Sequence, residues 1–131
     1  MNIHSDHQEN PIRVLLVDDE INYVNVLANR LARRNILATK AYSGAEALQA
    51  LRKQDFDMVI LDLKLEDMDG IDVLKILKKM APEVKVIMLT GHGSEQAAKD
   101  GIKEGAYDYL TKPCELSELI GKIREAHAVR D

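Results

Sequence analysis

The sequence has no tryptophan, one phenylalanine, three prolines and a single cysteine, Cys114, among 131 residues. One cysteine excludes an internal disulfide, and a compartment that keeps thiols reduced, the cytoplasm, is the expected home. No apolar run exceeds four residues, far short of the roughly 20 that a membrane-spanning helix needs. Basic residues are the minority, 18 against 22 acidic, for a formal net charge of −4. Without a positive excess, nucleic acid and anionic membrane are poor partners for this segment. The opening MNIHSDHQEN holds no apolar stretch and reads as a polar tail over 1–10 rather than a secretory signal. What is present is ordinary for one globular domain, expected over 11–131: 46% hydrophobic and 31% charged residues, with enough chain to bury its own core.

Five apolar stretches rich in β-branched residues, IRVLLV (12–17), ILATKA (36–41), DMVILD (57–62), KVIMLT (85–90) and AYDYLT (106–111), are strand candidates. Helical spacing separates them: Ile21, Val24, Leu27 or Ala28, and Leu31, then Ala47, Leu48 and Leu51. Ser43 with Glu46 is a capping box for the second helix. Gly70 opens a third, with Ile71, Leu74 and Leu77 or Lys78 inward; Ala97, Ala98, Gly101 and Ile102 face in from a fourth after Ser94; and Leu116, Leu119, Ile120 and Ile123 line the last. Five alternations with short links imply an α/β fold, a doubly wound five-stranded parallel sheet with five helices.

Ligands of such sheets bind outside the carboxyl ends of the strands. Asp18 and Asp19 end the first strand, Asp62 the third and Thr90 the fourth, and Lys112 follows the fifth. Carboxylates gathered on one rim repel by about 3–4 kcal/mol per pair at an effective dielectric near 20. A divalent cation relieves that repulsion, and all-oxygen ligation selects Mg2+ or Mn2+ over zinc. A metal beside a carboxylate, a hydroxyl and a lysine suits phosphoryl transfer, with Asp62 as nucleophile and Lys112 offsetting charge on the phosphoryl oxygens.

The Asp18–Asp19 pair, VILDL around Asp62, LDLKLEDMDG, MLTGHGS, GAYDYLTKP and the final helix resemble the receiver domain of two-component response regulators, over about residues 12–127. The resemblance implies a flavodoxin-like sheet of strand order 2-1-3-4-5. It implies that Asp62 accepts a phosphoryl group from a phosphohistidine of a sensor histidine kinase or phosphotransfer protein. Asp19, Asp62 and the backbone carbonyl of Lys64 would ligate Mg2+, and Asp18 would reach it through water. Thr90 and Lys112 would bond the phosphoryl group, and Tyr109 would reorient when Thr90 is drawn in. The Lys112–Pro113 peptide would be cis. Such a chain catalyses its own phosphorylation and dephosphorylation but acts as a switch rather than a turnover enzyme. Its output would pass through the fourth helix, fifth strand and fifth helix to a downstream protein, an output domain or a second copy. The ending IREAHAVRD carries no linker, which fits a stand-alone or an excised receiver equally.

Two positions depart from the family's usual pattern. Leu65-Glu66-Asp67 replaces a loop that commonly holds proline, which makes the loop more acidic and suggests a looser one; Cys114 stands where an aromatic is common. Taken singly, the site residues have simpler readings: Asp18 and Asp19 as helix-capping acids, Lys112 as a solvated lysine, Thr90 as a strand former and Tyr109 as packing. Cys114 reads as a small packed hydrophobe. His92 has no second histidine at ligand spacing, and Gly91-His92-Gly93 fails as a dinucleotide loop because Gln96 takes the third glycine's place. Among other functions, a haloacid-dehalogenase-like phosphatase needs an acid two residues past its nucleophile, where this chain has Lys64. A phosphate-independent module of the same fold is expected to lose acidic or acceptor positions, and none is lost. A flavin-binding module lacks its Ser/Thr-rich phosphate loop after the first strand.

Overall fold

The three central strands form where four apolar residues run together, because a parallel strand covered on both faces has no solvent side to alternate with, and a more mixed strand flanks them on each side. In the computed structural model, which describes residues 10–91 and 93–129, these are β1 (Ile12–Val17), β2 (Ile36–Ala41), β3 (Met58–Asp62), β4 (Lys85–Thr90) and β5 (Asp108–Thr111). Helices α1 (Ile21–Ala32), α2 (Gly44–Lys53), α3 (Gly70–Met80), α4 (Glu95–Lys103) and α5 (Leu116–Ala128) alternate with them. All pairings are parallel, in the order β2-β1-β3-β4-β5. Most of the polar tail, with His4 and His7, and His92 lie outside the described residues.

Two apolar layers flank the sheet. Val14, Leu16, Met58, Ile60, Ile87 and Leu89 pack under α1 and α5, against Val24, Leu27, Leu31, Leu119 and Ile123. Leu15, Val17, Val59, Leu61, Val86 and Met88 face α2 and α3, against Ala47, Leu48, Val73, Leu74 and Leu77. Each such buried aliphatic side chain contributes about 1.5–3 kcal/mol relative to exposure. The mixed ILATKA strand, β2, is at the edge, with Leu37 43% exposed.

Three expectations need correction. β5 begins at Asp108 rather than 106, although the Tyr107 N–H already bonds the Val86 carbonyl at 2.7 Å. Ile21 is exposed at the first position of α1, and burial begins with Val24, one turn on. Ile102 is exposed too: α4 seats through Ala98 and Gly101, and a Cβ at Gly101 would collide with the thioether of Met88. That close approach sets the rotation of α4 and turns Ile102 outward. Among the described residues no helix is long and apolar enough to cross a membrane.

Candidate functional site

Parallel strands end on one edge, and the register sets how their ends align. Val17 pairs with Leu61, Asp62 with Leu89 and Thr90 with Thr111. Two more backbone bonds extend these ladders into the loops, from Asp18 N–H to the Ala41 carbonyl (3.1 Å) and from Lys112 N–H to the Thr90 carbonyl (2.6 Å). Asp18, Asp62, Thr90 and Lys112 therefore share one rim. The Lys112–Pro113 peptide is cis.

Asp18 and Asp62 make the same local turn. One oxygen of each accepts the N–H two residues on, from Glu20 to Asp18 at 3.0 Å and from Lys64 to Asp62 at 3.1 Å. That bond fixes the carboxylate and leaves its other oxygen for Lys112, whose Nζ lies 2.7 Å from Asp18 Oδ2 and 3.4 Å from Asp62 Oδ2. Lys112 also donates to Glu20 Oε1 at 3.1 Å and stands 4.7 Å from the centre of the Tyr23 ring, a cation–π contact. The Thr90 hydroxyl, buried, donates to the Leu110 carbonyl at 3.5 Å, the limit of a hydrogen bond.

The electrostatics follow from burial. Asp18 has no exposed surface and Asp62 only 7%. Burial raises the Asp62 carboxyl above its ordinary value, against the opposing pull of the Lys64 N–H and Lys112. For Lys112, burial disfavours the charge, but its hydrogen bonds and attractions to Asp18, Asp62 and Glu20 outweigh it and hold the ammonium firmly protonated. Burial, helped by Cys114, pushes the Tyr23 phenol up to about 12. Burial likewise raises the half-buried Cys114 thiol, which suits a packed side chain rather than a nucleophile.

Acidic oxygens of Asp18, Glu20 and Asp62 lie within 4.8 Å of one another. Three carboxylates against the Lys112 ammonium leave this cluster at a formal −2, and every acidic donor is oxygen, which fits Mg2+ or Mn2+. Asp19 is half-buried at the same strand end, outside that converging set. Lys64 is exposed, with its N–H on Asp62. Tyr109 is half-buried against the α2–α3 side of the core.

Sequence reasoning missed Glu20, Tyr23 and Asp67. Glu20 stands at the N-cap position of α1, with no capping bond from its side chain, and Tyr23 follows three residues later, so helical spacing places them together. Nothing local points either of them at Lys112. Asp67 accepts bonds from the Gly44 and Ala45 N–H groups at 2.9 and 3.0 Å, tying the supposedly looser loop to α2.

A family profile described as "Response regulator receiver domain" matches residues 14–124. This chain belongs to that family. The receiver is 36% identical over 117 residues to the transcriptional regulatory protein ZraR of Escherichia coli (strain K12), covering 89% of this chain and 26% of that protein. It is 38% identical over 112 residues to the alginate biosynthesis transcriptional regulatory protein AlgB of Pseudomonas putida, covering 86% of this chain and 25% of that one. It thus spans about a quarter of the length of the curated relatives it matches. Among solved structures, the receiver domain of NtrX from Brucella abortus superposes with a TM-score of 0.85 at 32% identity, covering 89% of this chain and 99% of that chain. A response regulator receiver domain protein from Clostridium thermocellum gives 0.85 at 33%, covering 88% and 94%.

Proposed function

We propose that this receiver takes a phosphoryl group onto Asp62 from a phosphohistidine of a sensor histidine kinase or phosphotransfer protein. The observation that carries the reading is the shared Lys112: its ammonium joins Asp18 and Asp62 across the rim and leaves a net negative charge there. Asp62 Oδ1 is held by the Lys64 N–H, so Oδ2 is the oxygen that attacks phosphorus. An O–P bond forms as the N–P bond breaks, and the released imidazole takes a proton from solvent. Lys112, already on Oδ2, follows the oxygen and balances charge on the phosphoryl group. The Thr90 hydroxyl exchanges its long bond to Leu110 for a phosphoryl oxygen. Asp19, Asp62 and the Lys64 carbonyl would hold Mg2+, or Mn2+, with Asp18 reaching it indirectly, and the ion would supply further positive charge to the phosphoryl group.

Output follows from the movement of Thr90. The space it leaves accepts Tyr109, which turns in from the surface of α4, β5 and α5. Charged residues there include Lys99 and Lys103 on α4, with Asp108 and Lys122 joined by an ion pair of 2.7 Å. Phosphorylation adds roughly −1.5 to −2 charge at the rim, and the altered face meets a downstream protein, a linked output domain or a second copy. The test is incubation with acetyl phosphate and Mg2+ followed by mass spectrometry. One added phosphoryl group, absent in Asp62→Asn, is the expected result; no adduct on the parent would favour a phosphate-independent binding module. Amide exchange with a beryllofluoride mimic should change across residues 94–124, and changes confined to the rim would remove the switch from the reading.

A further inference from the structure

The loop between β3 and α3 is closed at its base. Lys64 and Asp69 form an antiparallel bridge, the Gly70 N–H bonds the Leu63 carbonyl at 3.0 Å, and a Cβ on Gly70 would lie 2.5 Å from the Leu63 Cα. Only glycine permits that approach. The tip reaches away to α2. Asp67 accepts the N–H groups of Gly44 and Ala45, the first two residues of that helix, from 23 and 22 positions away. Met68 packs beside them, its sulfur 2.8 Å from where a Gly44 Cβ would stand. The third N–H of the helix, on Glu46, goes to Ser43 Oγ at 3.1 Å, and the Glu46 carboxylate reaches back to the Tyr42 N–H, one residue before the cap. The first turn of α2 is therefore satisfied by two separate devices, one within its own segment and one lent by the loop.

We propose that Asp67 is a positioning residue for the cation site: by anchoring the loop tip to α2 it holds Lys64, and thereby the backbone carbonyl that ligates the metal, in place. This rests on the phosphoryl-transfer reading above. The loop that departs from the family's usual proline gains its constraint from a carboxylate instead. Ser43 supplies the control, because its hydroxyl caps the same helix by a bond within its own segment rather than one from the loop.

Calorimetric titration of Mg2+ into the parent, Asp67→Ala, Asp67→Asn and Ser43→Ala tests it. Both alanine variants should melt earlier by a similar amount, since each frees N–H groups of α2. Mg2+ affinity should fall about tenfold in Asp67→Ala, as for other groups that orient a ligand, and stay near the parent's in Ser43→Ala. Asp67→Asn, which keeps an acceptor oxygen, should lie between. Amides of 64–69 should exchange faster in Asp67→Ala alone. If Asp67→Ala does not fold, Asp67→Asn against Ser43→Ala carries the same comparison. Equal Mg2+ affinity in the Asp67 and Ser43 variants overturns the inference, leaving Asp67 a helix cap. A parent that binds no Mg2+ overturns it together with the functional reading. A parent that binds Mg2+, loses affinity with Asp67→Ala, yet takes no phosphoryl group supports the inference and removes the reading alone.

Discussion

The ammonium of Lys112 lies 2.7 Å from a carboxylate oxygen of Asp18, a fully buried residue 94 positions earlier in the chain. A buried acid has its charge matched by this one cation, which Asp62 and Glu20 also share. Lys112→Ala should therefore destabilise the metal-free protein by up to roughly 3–5 kcal/mol, since removing one partner strands the other's charge. Thermal melts in chelator and in Mg2+ check this: the cation should restore more stability to the variant than to the parent.

Asp62 has the opposite sign. Its folded carboxyl is raised, mainly by burial, above the ordinary 3.8. Its stabilising contribution is thus complete below that value and lost as pH rises through the folded one. At neutral pH the ionised group opposes folding, so Asp62→Asn should be more stable than the parent in chelator, chiefly because no charge is then buried and secondarily because repulsion from Asp18 is relieved. The gain should vanish when Mg2+ is added, because the parent alone then gains from the cation. Denaturant midpoints with and without Mg2+ are the measurement.

Asp19 and Glu20 should separate by role. Asp19→Ala should weaken Mg2+ binding by about tenfold or more, while Glu20→Gln should change it less, since Glu20 lies outside the proposed ligand set and its exposed carboxylate bonds Lys112. The Glu20 side chain is 65% exposed, so its bond to Lys112 contributes at most about 0–1 kcal/mol. Equal effects of the two substitutions on an NMR-monitored titration would overturn the proposed ligand set.

Gly101→Ala should destabilise the protein by about 1–2 kcal/mol, although alanine in place of a helical glycine normally gains nearly 1 kcal/mol. The new methyl would displace the Met88 thioether that sits in the notch. Met88→Ala should reverse the sign of the Gly101→Ala effect in a double-mutant cycle followed by urea unfolding.

The pH dependence of Asp67 follows from its bonds. The Gly44 and Ala45 N–H groups hold its carboxyl below the ordinary 3.8. Its contribution is present above that value and lost as pH falls through the folded one. The stability gap between parent and Asp67→Ala should hold constant at neutral pH and close in the acid range. The gap for Ser43→Ala should show no such change, because a hydroxyl does not titrate there.

The sequence by itself determined the alternation of strands and helices, because apolar, β-branched stretches and helical spacing are local patterns, and in the three central strands burial on both faces demands a four-residue apolar run. It also determined that Asp18, Asp62, Thr90 and Lys112 share a rim, since parallel strands can end on only one edge. Tertiary structure decided the partners. Periodicity orients a residue relative to its own element, never relative to a neighbour 22 or 94 positions away. So Glu20 and Tyr23 converge on Lys112, Asp67 reaches α2, and Ile102 turns outward, through the packing of whole elements: α1 beside the β5–α5 loop, the β3–α3 loop on α2, and Gly101 against Met88. The rim is a property of topology, legible from pattern, whereas the contacts on it depend on shape and charge that exist only once the layers have closed.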